Sequence, residues 1–132
     1  MSLKLSVHLM PDNEGVVVFN CSGQKLRINR LNRVLQFVAN LKHLSMAIDL
    51  AGKVDSCYEL SDYLGLQWIL NCTFKKGVVG LELWFQDHGF SDHLDTVFNW
   101  RGTADDFRNA VNFMIDKMGS YQFFKKPIYG QV

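Results

Sequence analysis

The first thirty residues alternate between apolar and polar side chains with the period of β-strands. A first strand has one apolar face, formed by Leu3, Leu5, Val7 and Leu9. Residues 11–15 are turn-forming, and residues 16–19 predict the returning strand. A second turn at residues 21–24 leads into a short extended segment at residues 25–28. The pattern therefore predicts an N-terminal hairpin followed by this segment.

From residue 29 onward the apolar spacing becomes that of a helix. The stripe is formed by Leu31, Val34, Leu35, Val38, Leu41, Leu44, Ser45 and Ile48. It predicts a helix of about five turns, with Asn29 as its N-terminal cap and Gly52 at its end. Residues 56–59 match a capping box, which predicts a short second helix over residues 56–64 closed by Gly65.

The second half of the chain returns to strand-like alternation. Residues 66–74 and 78–85 alternate on either side of a turn that contains Gly77, which predicts a hairpin. A third strand alternates through Leu94, Thr96, Phe98 and Trp100. Thr103, with Asp106 three residues later, predicts the cap of a last helix. Its buried face is formed by Phe107, Val111, Met114 and Met118, and Gly119 ends it.

The predicted order, β-β-α-(short α)-β-β-β-α, indicates an α+β fold. We expect an antiparallel sheet of about five strands with one long and one medium helix packed on one face. The chain has 132 residues, of which 48% are hydrophobic. A chain of this size buries roughly 65–70% of the surface that its unfolded form exposes. We therefore expect a single domain over residues 1–132.

Cysteine usage and hydropathy favour a cytoplasmic protein. The three cysteines lack the CxxC spacing of zinc sites, which predicts reduced and mostly buried thiols. The N-terminus lacks a signal-peptide pattern, and no apolar run reaches the roughly 20 residues that span a bilayer. We expect no membrane association. We also expect no cofactor, because neither a GxGxxG nor a P-loop motif is present.

Residues 87–95 concentrate the chemically versatile side chains. They include two of the four histidines and three aspartates. Carboxylate and imidazole groups can bind zinc, manganese or iron, so His88, Asp92 and His93 are candidate metal ligands. The alternative is a polar hairpin loop in which Asp and Ser side chains bond to nearby backbone N–H groups.

A second candidate site is basic. Lys25, Arg27, Arg30 and Arg33 are predicted to cluster at the start of the long helix. Cations there oppose the helix dipole, and a bound anion would reverse that penalty. The four residues therefore predict a site for phosphate, nucleic acid or an acidic peptide. The alternative is a solvated face whose arginine stems cover the sheet.

A third pattern suggests DNA binding. Residues 59–66 have the form of the first helix and turn of a helix-turn-helix. If a helix followed, Gln67, Asn71 and Lys75 would share one face, as groove-reading side chains do. The segment resembles the winged-helix pattern over roughly thirty residues, which implies that residues 78–85 begin a wing. The apolar residues of 68–74 and their strand alternation favour a strand instead.

Aromatic residues are too numerous for one covered sheet face. The chain has ten Phe and three Trp, and apolar side chains occupy both faces of several predicted strands. Such a pattern predicts a second covering layer or a partner. The candidate partner-binding residues are Trp84, Phe90, Trp100, Tyr121 and Phe124.

The sequence thus favours a small cytoplasmic module that binds another protein through an apolar sheet face or its basic rim. An adaptor, a chaperone-like protein or an inhibitor fits this description. We expect the chain to self-associate, as a homodimer. The net charge of +1 gives no strong field for nucleic acid. The alternatives are a winged-helix DNA-binding protein and a metal-dependent enzyme at the loop of residues 87–95.

Overall fold

Two antiparallel sheets and two helices form an α+β fold, in a computed structural model that describes residues 2–86 and 94–119. The elements are β1 (Leu3–Met10), β2 (Glu14–Cys21), β3 (Gln24–Asn32), α1 (Val34–Ala51), β4 (Val54–Ser61), β5 (Gln67–Lys75), β6 (Val78–Gln86), β7 (Leu94–Gly102) and α2 (Ala104–Gly119). The α+β class is confirmed. The prediction of one sheet of about five strands is wrong, because seven strands divide into sheets of three and four.

The three-stranded sheet has the order β1-β2-β3. The predicted N-terminal hairpin is present, with Leu5 opposite Phe19. The short extended segment proves to be a nine-residue strand. Its pairing with β2 shifts register between Gly15 and Val17, and the resulting bulge lets the strand continue past Ile28.

The four-stranded sheet has the order β4-β5-β6-β7. The predicted helix over residues 56–64 is wrong, because residues 54–61 form β4 and pair with β5 along their whole length. The capping-box residues 56–59 lie inside this strand, and a turn follows it, in which the Asp62 carboxylate accepts hydrogen bonds from the N–H groups of Leu64 (2.9 Å) and Leu66 (3.0 Å). Gly65 supplies the positive φ of 82° that this turn requires.

Helix α1 begins later than predicted. Asn29 lies in β3 and does not cap the helix; Arg33 occupies the N-cap position with a left-handed backbone. The cap comes from elsewhere in the chain, since the Asn13 side chain accepts a hydrogen bond from the N–H of Leu35 at 2.9 Å. The predicted end of the helix at Gly52 is confirmed, with φ of 71°.

Helix α2 follows its prediction closely. The Thr103 hydroxyl accepts a hydrogen bond from the N–H of Asp106 at 3.1 Å. The predicted apolar face is buried, from Phe107 to Met118. This helix packs on β1 and on α1. Arg108 joins the two helices by an ion pair with Asp49 of α1.

The inner faces of both sheets meet helix α1 in one hydrophobic core. Phe19 of β2 is fully buried between Phe37 of α1 and Phe98 of β7, with ring centroids 5.9 and 5.4 Å away. Strand β3 contacts both outer strands of the four-stranded sheet. At one end, the Gln24 side chain bonds to both backbone groups of Asn99. At the other end, Leu31 forms a β-bridge with Asp62.

Neither helix combines the length and apolarity needed to cross a membrane, within the ranges 2–86 and 94–119.

Candidate functional site

The four predicted anion-binding residues lie in three different surroundings. The expectation that they cluster at the start of the long helix is corrected, because β3 extends to Asn32 and carries Lys25, Arg27 and Arg30 on the sheet. Only Arg33 lies at the N-terminus of α1.

Lys25 and Arg27 project from the face of the three-stranded sheet that points away from the core. The strand register places Asn20 between Lys4 and Lys25 in one row, and Val18 between Ser6 and Arg27 in the next. His8 and Val16 form a third row. We call this surface the basic face, defined by Lys4, Ser6, His8, Val16, Val18, Asn20, Lys25 and Arg27.

Lys4, Lys25 and Arg27 form no ion pair with a carboxylate in the described part of the chain. Glu14, the one acid within strands β1–β3, is engaged by Arg30, whose Nε and Nη2 donate to the same carboxylate oxygen at 3.0 and 2.6 Å. Arg30 also stacks over the ring of Tyr63, 4.9 Å from its centroid. Arg30 is thus held in the structure, whereas Lys4, Lys25 and Arg27 remain exposed cations. Arg27 donates to the neutral amide oxygen of Asn29, at 3.0 Å.

The middle of the basic face is apolar and slightly concave. Val16 and Val18 are half-buried there, and Ser6, His8 and Arg27 border a depression of about 360 Å³. Neighbouring strands lie about 4.8 Å apart, so Lys4 and Lys25 stand roughly 10 Å apart on either side of the sheet. The arrangement is a small apolar floor with cations at its rim.

A second concavity, of about 540 Å³, lies between the start of α1 and the end of β4. Arg33 lies on the wall of this concavity. The amide side chains of Asn32 and Gln36, also on the wall, form hydrogen bonds within the protein. Asn32 donates to the Ser61 hydroxyl (3.4 Å) and to the Asp62 carbonyl (3.0 Å), and Gln36 donates to Asn40 (3.1 Å). The Ser61 hydroxyl has no histidine or carboxylate base among these bonds, so the groove does not form a nucleophilic centre.

The predicted metal ligands His88, Asp92 and His93 lie outside the described residues. Within residues 2–86 and 94–119, no three His, Cys, Asp or Glu side chains are placed to hold a metal ion.

The DNA-reading helix is not formed. Gln67, Asn71 and Lys75 lie on strand β5, so the winged-helix interpretation of this segment is wrong. Strand alternation, which brings hydrogen bonds from β4 and β6, outweighs the four-residue spacing of these polar residues.

The five predicted partner-binding aromatics do not form one described surface. Trp84 is half-buried on the outer face of the four-stranded sheet, opposite Ile69. Trp100 is corrected from a partner contact to a core residue, because it is only 2% exposed and stacks near Phe107 with ring centroids 6.4 Å apart. The remaining three, Phe90, Tyr121 and Phe124, fall outside the described residues.

The cysteines match the expectation of free thiols, with one exception to burial. Cys21 and Cys72 are buried and Cys57 is exposed on β4. Burial raises the pKa of the Cys72 thiol from 9.0 to about 12, because the interior disfavours the thiolate. Cys72 is therefore an inert core residue at neutral pH.

No protein-family model, no curated protein and no solved structure matches the chain.

The sequence did not single out Lys4, Val16 or Val18 as parts of a site. Alternation along β1 and β2 places them on polar or outward positions, but only the strand register brings them beside Lys25 and Arg27. Pairing between neighbouring strands is therefore the signal that identifies the basic face.

Proposed function

We propose that this protein is a binding module that recognises an acidic segment of a partner protein on the basic face. The observation that carries the proposal is the set of three exposed cations, Lys4, Lys25 and Arg27, around Val16 and Val18, with the neighbouring carboxylate already neutralised. An acidic ligand would replace the mutual repulsion of these cations by attraction.

The energetics favour a ligand that combines charge with an apolar side chain. Exposed ion pairs contribute only about 0.2–1 kcal/mol each, so three of them give weak binding. The Val16–Val18 floor adds apolar area, at about 25 cal/mol for each Å² buried. The best ligand is therefore an extended segment in which Asp or Glu residues flank an Ile, Leu or Val side chain.

Nucleic acid is less well suited to this surface. Single-stranded nucleic acids bind by stacking their bases on aromatic side chains. Each residue of the basic face is described; none of them is Phe, Tyr or Trp, and the one aromatic ring of the face is the imidazole of His8. Three phosphate contacts alone would give weak binding that disappears at moderate salt. We therefore assign the surface to an acidic protein segment, with DNA as a comparison ligand.

The test is fluorescence anisotropy with a labelled peptide of alternating Glu and Ile. We expect binding at ~10 mM NaCl that weakens strongly at ~1 M, where the Debye length falls from about 30 to 3 Å. Lys25→Glu/Arg27→Glu should abolish binding. The matched control, Lys53→Glu/Lys75→Glu, changes by the same net charge two exposed lysines away from the basic face, one in the α1–β4 connection and one at the end of β5, and should retain binding.

Two results would contradict the proposal. Equal losses in the two double variants would show that only net charge matters. Preference for short single-stranded DNA over the peptide at matched charge would assign the face to nucleic acid instead. A Val18→Ala variant separates the apolar contribution, because it should weaken the Glu–Ile peptide but not a peptide of Glu and Ser.

A further inference from the structure

The outer edge of β1 has no strand beside it in the described part of the chain, whereas the edges of β3 and β7 each receive hydrogen bonds from elsewhere in the protein. Strand β3 has its edge contacted near Asp62: Arg30 accepts a hydrogen bond from Tyr63 N–H at 3.0 Å, and Leu31 bridges Asp62. Strand β7 has its edge covered at Asn99 by the Gln24 amide. In the described part of the chain, residues 3–7 of β1 pair with β2 on one side and with no strand on the other.

A groove of about 480 Å³ runs along this edge, between β1 and helix α2. Residues 2–5 form one wall, and Asp106, Ala110 and Phe113 lie on the other. Phe113 is 56% exposed, although it stands beside a strand whose inward side chains Leu3 and Leu5 are buried. Unpaired strand groups beside an exposed aromatic side chain are the features of a site that accepts a further strand.

We propose that the occupant is β1 of a second copy of this chain, paired antiparallel so that the two three-stranded sheets become one six-stranded sheet. The side-chain pattern of β1 supports self-pairing. Odd-numbered residues point to the core and even-numbered residues to solvent, so a self-complementary register keeps both faces consistent.

One register satisfies the charges as well. With Leu5 opposite Leu5 of the second copy, Leu3 faces Val7 and Lys4 faces Ser6, and no like charges are directly opposed. A register shifted by one pair toward the N-terminus would place Lys4 opposite Lys4, which is unfavourable. Phe113 of each copy then lies beneath the new strand pair, where its exposed ring becomes covered. The contact is isologous, as in a twofold dimer.

The dimer would double the proposed basic face, since the outward rows of the two sheets would become continuous. The two Lys4 side chains would lie diagonally across the seam, about 7–8 Å apart. Salt should therefore strengthen this association by screening them, whereas it should weaken peptide binding. The opposite salt dependence allows the two proposals to fail separately.

The test is sedimentation velocity over a range of protein concentrations, with two opposite substitutions at one exposed position. Ser6→Glu places a carboxylate opposite Lys4 of the second copy and should tighten the dimer. Ser6→Lys opposes two cations and should weaken it. Each pair occurs twice in the dimer, so either change should alter the dissociation constant roughly 2- to 30-fold.

A second variant pair tests the groove without touching the basic face. Phe113→Ser should weaken the dimer about tenfold or more, as for an aromatic residue at the centre of an interface. Leu50→Ser removes an even more exposed apolar side chain from α1 and should leave the dimer unchanged. Both variants should still bind the acidic peptide if the proposed function is correct.

A monomer at every concentration and salt would overturn the inference, as would a dimer that Phe113→Ser leaves intact. Loss of the dimer with both Ser6 substitutions would reject this register. It would indicate instead a register in which Ser6 lies opposite Ser6 of the second copy, where either substitution opposes two like charges. Loss of peptide binding with an intact dimer would contradict the proposed function alone.

Discussion

Phe19→Ala is expected to destabilise both sheets together, because Phe19 lies where they meet. The side chain is fully buried on β2 and contacts Phe37 and Phe98, which belong to α1 and to the other sheet. Replacing a buried Phe by Ala costs about 3–5 kcal/mol, against a total stability of about 5–15 kcal/mol. With a urea m-value of about 2 kcal/mol/M, a loss of 4 kcal/mol lowers the unfolding midpoint by about 2 M.

The tryptophans provide a reporter in the opposite sheet. All three lie in the four-stranded sheet, on β5, β6 and β7. If the chain unfolds as a single domain, tryptophan fluorescence and far-ultraviolet circular dichroism should show the same lowered midpoint. A Phe19→Leu variant, which keeps most of the volume, should lose considerably less.

A double-mutant cycle isolates the contact between the sheets. Phe19→Leu and Phe98→Leu should show a coupling energy of about 0.5–1.5 kcal/mol, the range for aromatic pairs. An unchanged fluorescence midpoint in Phe19→Ala, with circular dichroism shifted to lower urea, would refute the reasoning. It would show that the two sheets unfold independently.

Two further predictions concern single groups. Because the Cys72 pKa is raised to about 12, its contribution to stability is complete below pH 9.0 and is lost as the pH rises toward 12. The free energy of unfolding should fall by about 1.4 kcal/mol per pH unit in this range. Urea titrations should show this alkaline slope in the wild type and in Cys57→Ala but not in Cys72→Ala. An equal slope in all three proteins would assign the pH dependence to other groups. Asn13→Ala should destabilise the chain by about 1–2 kcal/mol, since it removes the cap of α1, while Asn13→Asp keeps the acceptor and should cost little. Equal thermal unfolding of the two Asn13 variants would contradict the capping role.

Elements defined by local signals could be predicted from the sequence. Helix α2 has its cap and apolar stripe within one stretch, and the structure matches both of them. The predicted stop at Gly119 lies at the limit of the described residues. The β5–β6 hairpin is equally local, since Lys76 and Gly77 adopt the positive φ values of a two-residue turn.

Elements that depend on distant partners were mispredicted. Residues 56–59 fit a capping box, but pairing with β5 and the turn around Asp62 made them a strand. The start of α1 was misplaced because its cap, Asn13, comes from the β1–β2 turn. Likewise, the division into two sheets follows from tertiary packing and is not encoded in any single window.

The candidate site shows the same limit. Lys25 and Arg27 could be selected as basic residues from the sequence. Strand register determines two further features of the site. It lets Glu14, sixteen residues earlier, neutralise Arg30, and it places Lys4 in one row with Lys25 across β2. The composition therefore identified the type of charge, and strand pairing determined which charges are available.

The bonds between Gln24 and Asn99 have a consequence for how the protein is made. The two residues are separated by 75 positions, so a ribosome adding about 5–20 residues per second needs roughly 4–15 s to synthesise the partner of Gln24. During that interval the N-terminal sheet has emerged with the Gln24 end of its β3 edge still uncovered. Aggregation during synthesis should therefore depend on translation speed between residues 24 and 99, and slower translation of this stretch should lengthen the exposure of that edge.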